Sequence, residues 1–249
     1  MGTHSGARLI QYKYLIVNII GLIPLGLLLV LARSLRPTAI LCGAVLMAYC
    51  PPVSSLYEGV YWAPTRVFGG SWGIEDMLFC FHAGAISWLC SLGPWAARTT
   101  THTNLAGFIR RLACVTLIAV MLLIACLAGG LPVLTSFLVV QTISTAVILT
   151  RRQEYWRFLA TGIPLFLGYY FALLGAWRLV IPGFMDMWSG TQLGGSTLLG
   201  VPIEEYLWVV SFCSGFPITM GFCLGVRVGS RGGPVQLKPG TDHFDSKES

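Results

Sequence analysis

Charge is scarce in this chain. Only 10% of its 249 residues are Asp, Glu, Lys or Arg, against about 25% in soluble domains, too little ionic surface to clothe a globule in water. Lysine is scarcer still: Lys13, Lys238 and Lys247 are the full set, and each falls outside the apolar segments. A retinal photoreceptor or pump needs a Schiff-base lysine in its last span, so that class is disfavoured. There is no aspartate-rich run of the kind that holds diphosphate-bound magnesium, which argues against a prenyltransferase. No GxGxxG follows a strand, so no dinucleotide or flavin site is signalled. The eight cysteines (Cys42, Cys50, Cys80, Cys90, Cys114, Cys126, Cys213 and Cys223) form no CxxC pair and all lie in apolar segments. They read as small buried residues rather than a zinc or disulfide framework. No small-residue cleavage site follows the first apolar segment, so no cleavable signal peptide is expected.

What is abundant is apolar. Hydrophobic residues make up 55% of the chain and mean hydropathy is +0.73. A bilayer core about 30 Å thick takes roughly 20 apolar residues per helix. The pattern predicts spans at Tyr14–Ala32, Thr38–Tyr57, Asp76–Trp95, Leu112–Gly130, Leu131–Leu149, Phe158–Leu179 and Glu205–Val226. The second holds Pro51-Pro52 and is expected to kink or break there. The Gly129-Gly130-Leu131-Pro132 turn divides the fourth from the fifth. The tail from about Gly229, rich in Gly, Ser and charge, reads as disordered.

The net charge of +6 forms no single patch, so no nucleic-acid partner is expected. It partitions instead across the spans. One side receives Arg8, Lys13, Arg66 and Arg178; the other receives Arg33, Arg36, Arg98, Arg110, Arg111, Arg151, Arg152, Arg157, Arg227, Arg231, Lys238 and Lys247. Positive residues favour the cytoplasm, which puts the C-terminus inside and the N-terminus outside.

A duplication carries the most information. Trp62-Ala-Pro-Thr65, Gly69-Gly70 and Ile74-Glu75-Asp76-Met77-Leu78-Phe79 precede and open the third span. Trp188-Ser-Gly-Thr191, Gly194-Gly195 and Ile203-Glu204-Glu205-Tyr206-Leu207-Trp208 do the same for the seventh. The Trp-to-Ile spacing is 12 in the first copy and 15 in the second, and an acid precedes each Trp, Glu58 and Asp186. The fold class expected is therefore an all-α integral membrane protein of about seven transmembrane helices. It comprises two parallel three-helix repeats, about 14–95 and 131–227, plus a linker helix at about 112–130, in a single domain 1–227 followed by a cytoplasmic tail 228–249.

Six of the chain's ten acids, Glu58, Glu75, Asp76, Asp186, Glu204 and Glu205, lie in or beside these motifs. Acids at a helix start can simply cap exposed N–H groups. Duplicated acids among aromatics near hydrocarbon can also do proton chemistry, because an apolar setting and a second carboxyl both favour the protonated form. Aromatic faces shelter cations without attacking them, and Trp62, Phe79, Phe81, Trp188, Tyr206 and Trp208 flank the motifs; as a plainer alternative they are interfacial belt residues. His82, seven residues after Glu75, shares its helical face and could relay a proton, or be a satisfied histidine inside the bundle.

Pro202-Ile203-Glu204-Glu205, after a Gly-rich loop and before an aromatic-rich span, resembles the PxE(E/D) motif of the integral-membrane lycopene cyclases, both the heterodimeric bacterial type and the cyclase domain of fungal bifunctional proteins. That family is a duplicated three-helix unit with one motif per repeat. The resemblance covers the helical body to about residue 227; the first copy carries Gly73 at the proline position. It implies non-redox closure of an ionone-type ring at the end of a linear polyene, without a cofactor or metal. Glu204 would be the acid, tuned by Glu205, with Glu75 and Asp76 as the equivalent pair or the base. Trp62, Trp188, Phe79, Trp208 and His82 would line the substrate. The partners implied are a lipophilic polyene or isoprenoid, membrane lipid, and carotenoid-pathway enzymes or a second copy of the chain. Two other readings share the pattern: a membrane terpene or meroterpenoid cyclase, and a non-catalytic transporter whose acids are ion sites.

Overall fold

A computed structural model describes residues 12–101, 104–181, 183–188 and 191–229. Seven helices in it are long and apolar enough to cross a membrane. They are α1 (Lys13–Leu31), α2 (Arg36–Tyr57), α3 (Ile74–Leu92), α4 (Leu105–Ala128), α5 (Val133–Arg151), α6 (Trp156–Val180) and α7 (Ile203–Cys223). The strands are accessory: β1 (Thr99–Thr101) pairs antiparallel with β4 (Val226–Val228), and β2 (Thr197–Leu198) with β3 (Val201–Pro202). The fold is all-α.

Local chemistry sets the helix ends. Asn104 accepts a hydrogen bond from Gly107 N at 2.8 Å, a side-chain cap that starts α4. This start lies seven residues before the expected Leu112, because the capped helix carries Arg110 and Arg111 as an extra polar turn; the Arg111 guanidinium donates to Phe222 O at 3.2 Å. Gly130, at φ 82°, ends the connection from α4 and Pro132 precedes α5. The expected break at Pro51-Pro52 is absent: α2 runs on through both prolines. Pro24, Pro164 and Pro217 likewise sit inside α1, α6 and α7. Close neighbouring helices can support a backbone that has lost an N–H donor.

Helices α3 and α7 form the centre. Most of the apolar window of α3 and half of that of α7 are buried, whereas none of α4 is. α3 packs against α1, α2, α6 and α7; α7 packs against α4, α5 and α6. The α2–α3 approach is close because glycine faces glycine: a Cβ on Gly84 would stand 3.3 Å from the Gly43 Cα, and one on Gly43 would stand 2.6 Å from Phe81 O. At the other end Tyr155 OH donates to Gly221 O at 3.0 Å and Val226 O at 2.7 Å, locking the end of α7 and strand β4. The ordered fold thus includes Val228, and the tail expected beyond it, residues 230–249, lies outside the described residues.

Candidate functional site

Each duplicated motif opens a central helix and sends its two acids in different directions. Successive helical residues are about 100° apart, so an acid pair cannot face one way. Glu75 Oε1 accepts from Val67 N at 2.7 Å, and Glu204 Oε1 accepts from Gly194 N, also at 2.7 Å. The first acid of each pair therefore ties down the preceding loop. The second acid, Asp76 or Glu205, turns into the bundle, and both line one cavity that is partly open at its mouth.

The two inward carboxyls sit in opposite electrostatic settings. Asp76 is gripped by Arg66: Nε reaches Oδ2 at 2.5 Å and Nη2 reaches Oδ1 at 3.2 Å. Gly73 N and Tyr14 OH also donate to it, at 2.8 Å and 3.0 Å. Arg66 continues to Glu58 at 2.8 Å, Gly70 O at 3.0 Å and Ser54 Oγ at 3.3 Å, so its guanidinium organises the whole first loop. Burial alone would lower the Arg66 pKa, but bonds to Asp76 and Glu58 outweigh it and hold the group above its ordinary value and charged.

Glu205 is buried among neutral donors. Tyr61 OH and Tyr170 OH donate to it in short hydrogen bonds, and Trp188 Nε1–H donates at 2.7 Å. Burial first, and the Glu205 carboxyl second, push the Tyr61 phenol well above its usual pKa, so it stays a neutral donor.

Aromatic rings connect the two settings. Tyr14 meets Trp62 edge-on at 5.5 Å between centroids, and Trp62 meets Trp188 at 4.4 Å. The repeated tryptophans therefore touch each other, one from each motif. Their loops also share backbone bonds, Ala63 N to Met187 O at 3.0 Å and Gln192 N to Val60 O at 2.9 Å. Together they roof the cavity.

Of the residues singled out by sequence, Asp76, Glu205, Trp62, Trp188, Phe79 and Trp208 line the cavity. Glu75, Glu204 and His82 do not. His82 lies behind Phe79, their rings 5.5 Å apart, and its Nε2 pairs with Asn18 Oδ1 at 3.2 Å. Asp186 stands in the 3-10 turn Phe184–Met187. Sequence reasoning missed Tyr14, Tyr61, Tyr170, Trp177 and Arg66. The tyrosines belong to no motif. Arg66 did leave a signal, as a lone cation between Glu58 and the Glu75-Asp76 pair, where charge balance alone suggests an ion pair. Among the described residues no group of three or more His, Cys, Asp and Glu could hold a metal ion. No family model, curated protein or solved structure matches this chain.

Proposed function

We propose that this chain is a multi-pass membrane enzyme that cyclises the end of an isoprenoid chain by protonating it, in the manner of the lycopene-type cyclases whose motif it resembles. The observation that carries the reading is Glu205: a carboxyl enclosed with aromatic rings in an apolar cavity, whose three hydrogen-bond partners are all neutral.

In this reading the acid role belongs to Glu205 rather than Glu204, since Glu204 is occupied with the Gly194 backbone. In the acid form the proton sits on Oε1 and the Tyr170 hydroxyl turns to accept from it; that proton adds to the terminal double bond and leaves a tertiary carbocation. The π electrons of an internal double bond attack that cation and form the carbon–carbon bond of a six-membered ring. The new cation lies among Trp62, Trp188 and Trp208, whose faces stabilise positive charge without acting as nucleophiles. Tyr14 then accepts a ring proton as it passes its own to Asp76 along their 3.0 Å hydrogen bond. Return of that proton to Glu205 closes the cycle, and substrate and product are isomers.

Duplication belongs to the same proposal. Third helices α3 and α7 each pack on both other helices of their own unit. The joints before α2 and α6 are alike, each a three-residue 3-10 turn, Arg33–Leu35 and Gln153–Tyr155. Glu75 and Glu204 make equivalent bonds, and the two motif tryptophans meet. We take the units as parallel repeats in the membrane, with the roofed cavity toward the outer face and the C-terminus in the cytoplasm. Arg66, counted among the outer-side charges, is committed to Asp76 and Glu58, which leaves that side still poorer in free positive charge.

Expression in a lycopene-accumulating host, with chromatography of the pigments and extracted isoprenoids, tests the activity. New cyclic isomers that vanish in Glu205→Gln are expected. Substrate uptake into proteoliposomes without any isomeric product would favour a transporter instead.

A further inference from the structure

The bundle has a basic end, opposite the cavity. Among the described residues it carries nine arginines, a single acid, Glu154, and no lysine. At the cavity end the balance reverses, with three cations (Lys13, Arg66 and Arg178) against six acids. The nine arginines are not one run of sequence. Arg33 and Arg36 stand at the joint between α1 and α2, Arg110 and Arg111 in the second turn of α4, and Arg151, Arg152 and Arg157 at the joint between α5 and α6. Arg98 and Arg227 follow the two central helices and are joined by the β1–β4 ribbon: Thr100 pairs with Arg227, and Gly229 N donates to Arg98 O at 2.9 Å. The 3-10 turn carrying Arg33 packs on the turn that ends in Arg98, and β4 packs on the turn that follows Arg152, so the basic end is one continuous surface.

Little of this charge is neutralised within the chain. Arg152 lies 3.6 Å from Glu154, and Arg36 and Arg111 donate to the backbone at Leu29 O and Phe222 O. Arg157 lies over the Trp95 ring, 5.4 Å from its centroid, which holds the cation in place without using a hydrogen-bond acceptor. Arg33, Arg98, Arg110, Arg151 and Arg227 are exposed and have no acidic partner among the described residues.

The neighbours of these arginines decide the partner. Leu31 is 72% exposed beside Arg33, Ile109 55% beside Arg110, and Trp156 57% beside Arg157. A nucleic acid or a soluble acidic protein would cover the charge and leave that apolar surface in water. A phospholipid answers both, with phosphate against the guanidinium and acyl chains against the apolar side chains. The choice of base points the same way. Lysine and arginine serve equally to orient a membrane protein, but only the planar guanidinium fork pairs with phosphate through two parallel hydrogen bonds.

We propose that this basic end is a docking surface for anionic phospholipid, held by arginine–phosphate pairs around the rim of the bundle. It uses no residue of the cavity, so it stands apart from the cyclase reading.

The test uses the full chain in nanodiscs of mixed phosphatidylcholine and phosphatidylglycerol. Lipid retained on extraction is identified by native mass spectrometry, for the wild type and for the double variant Arg98→Gln with Arg227→Gln. One arginine at the headgroups is worth about fivefold in affinity. The wild type is expected to retain phosphatidylglycerol over phosphatidylcholine by about tenfold or more, and the double variant to lose about fivefold or more of that preference. Added salt should weaken both. Equal retention of the two lipids by the wild type overturns the proposal, and needs no variant to fold. An undiminished preference in the folded double variant overturns the assignment to this surface. Displacement of the bound lipid by inorganic phosphate or an acidic peptide, at constant ionic strength, would mark a site for a soluble anion and also overturns it.

Discussion

The sharpest prediction separates two adjacent glutamates. Glu205→Gln keeps the shape of the side chain and most of its bonds. The Gln carbonyl can occupy the Oε2 position, which receives Tyr61 OH and Trp188 Nε1–H. Only the Tyr170 hydroxyl, bonded to Oε1, must turn to accept from the new NH2. One rearranged hydrogen bond costs about 1 kcal/mol of stability. The proton donor, however, is gone, and loss of a general acid lowers rate by about 10²–10⁴-fold, or about 3–5 kcal/mol in the barrier. Glu204→Gln keeps the carbonyl that accepts from Gly194 N, and its activity should stay within about threefold of wild type. Purified variants matched for folded protein by size exclusion would be assayed for isomeric product in nanodiscs. Retention of a tenth or more of wild-type turnover in Glu205→Gln refutes the assignment, as does an equal loss in Glu204→Gln.

Three further outcomes follow from packing. Arg66→Met leaves the buried Asp76 carboxylate without its cation and should cost about 3–5 kcal/mol, read as a lowered midpoint in denaturant titration; a shift under about 1 kcal/mol would mean that the guanidinium contributes little. Gly43→Ala forces a methyl to 2.6 Å from Phe81 O and should destabilise by about 1–3 kcal/mol, whereas Gly26→Ala, with nothing within 4 Å, should be neutral or slightly stabilising; equal thermal shifts would deny the close α2–α3 contact. Leu199 holds φ 53° beside Gly200 at φ 75° in the two-residue turn between β2 and β3. Asn suits that backbone better, so Leu199→Asn should stabilise by about 0.5–1 kcal/mol, and a lower melting temperature would show that the leucine side chain matters more than its strain.

The seven apolar segments were legible in the sequence because hydropathy is a local property summed over one helix. The motif duplication was legible for a similar reason: Trp62 and Trp188, or Glu75 and Glu204, announce themselves by spacing. Even the misplaced α4 start had a local cause, the Asn104 cap. Two features lay beyond such reading. Continuity of α2 through Pro51-Pro52 belongs to a helix packed tightly on α3, where neighbours stabilise what proline propensity alone would break.

The other was the division of labour within each acid pair. Sequence determined that two carboxyls would open each central helix, and that aromatics would stand near them. Tertiary structure decided which carboxyl faces the cavity, since a single 100° step sends Glu204 to a loop amide and Glu205 to three side chains, one each from the first loop, the second motif loop and α6. It also decided which acid is neutralised by a cation, because Arg66 folds back only onto Asp76 and Glu58. Local pattern places a residue on an element; its electrostatic surroundings come from groups distant in the chain, and only packing brings those together.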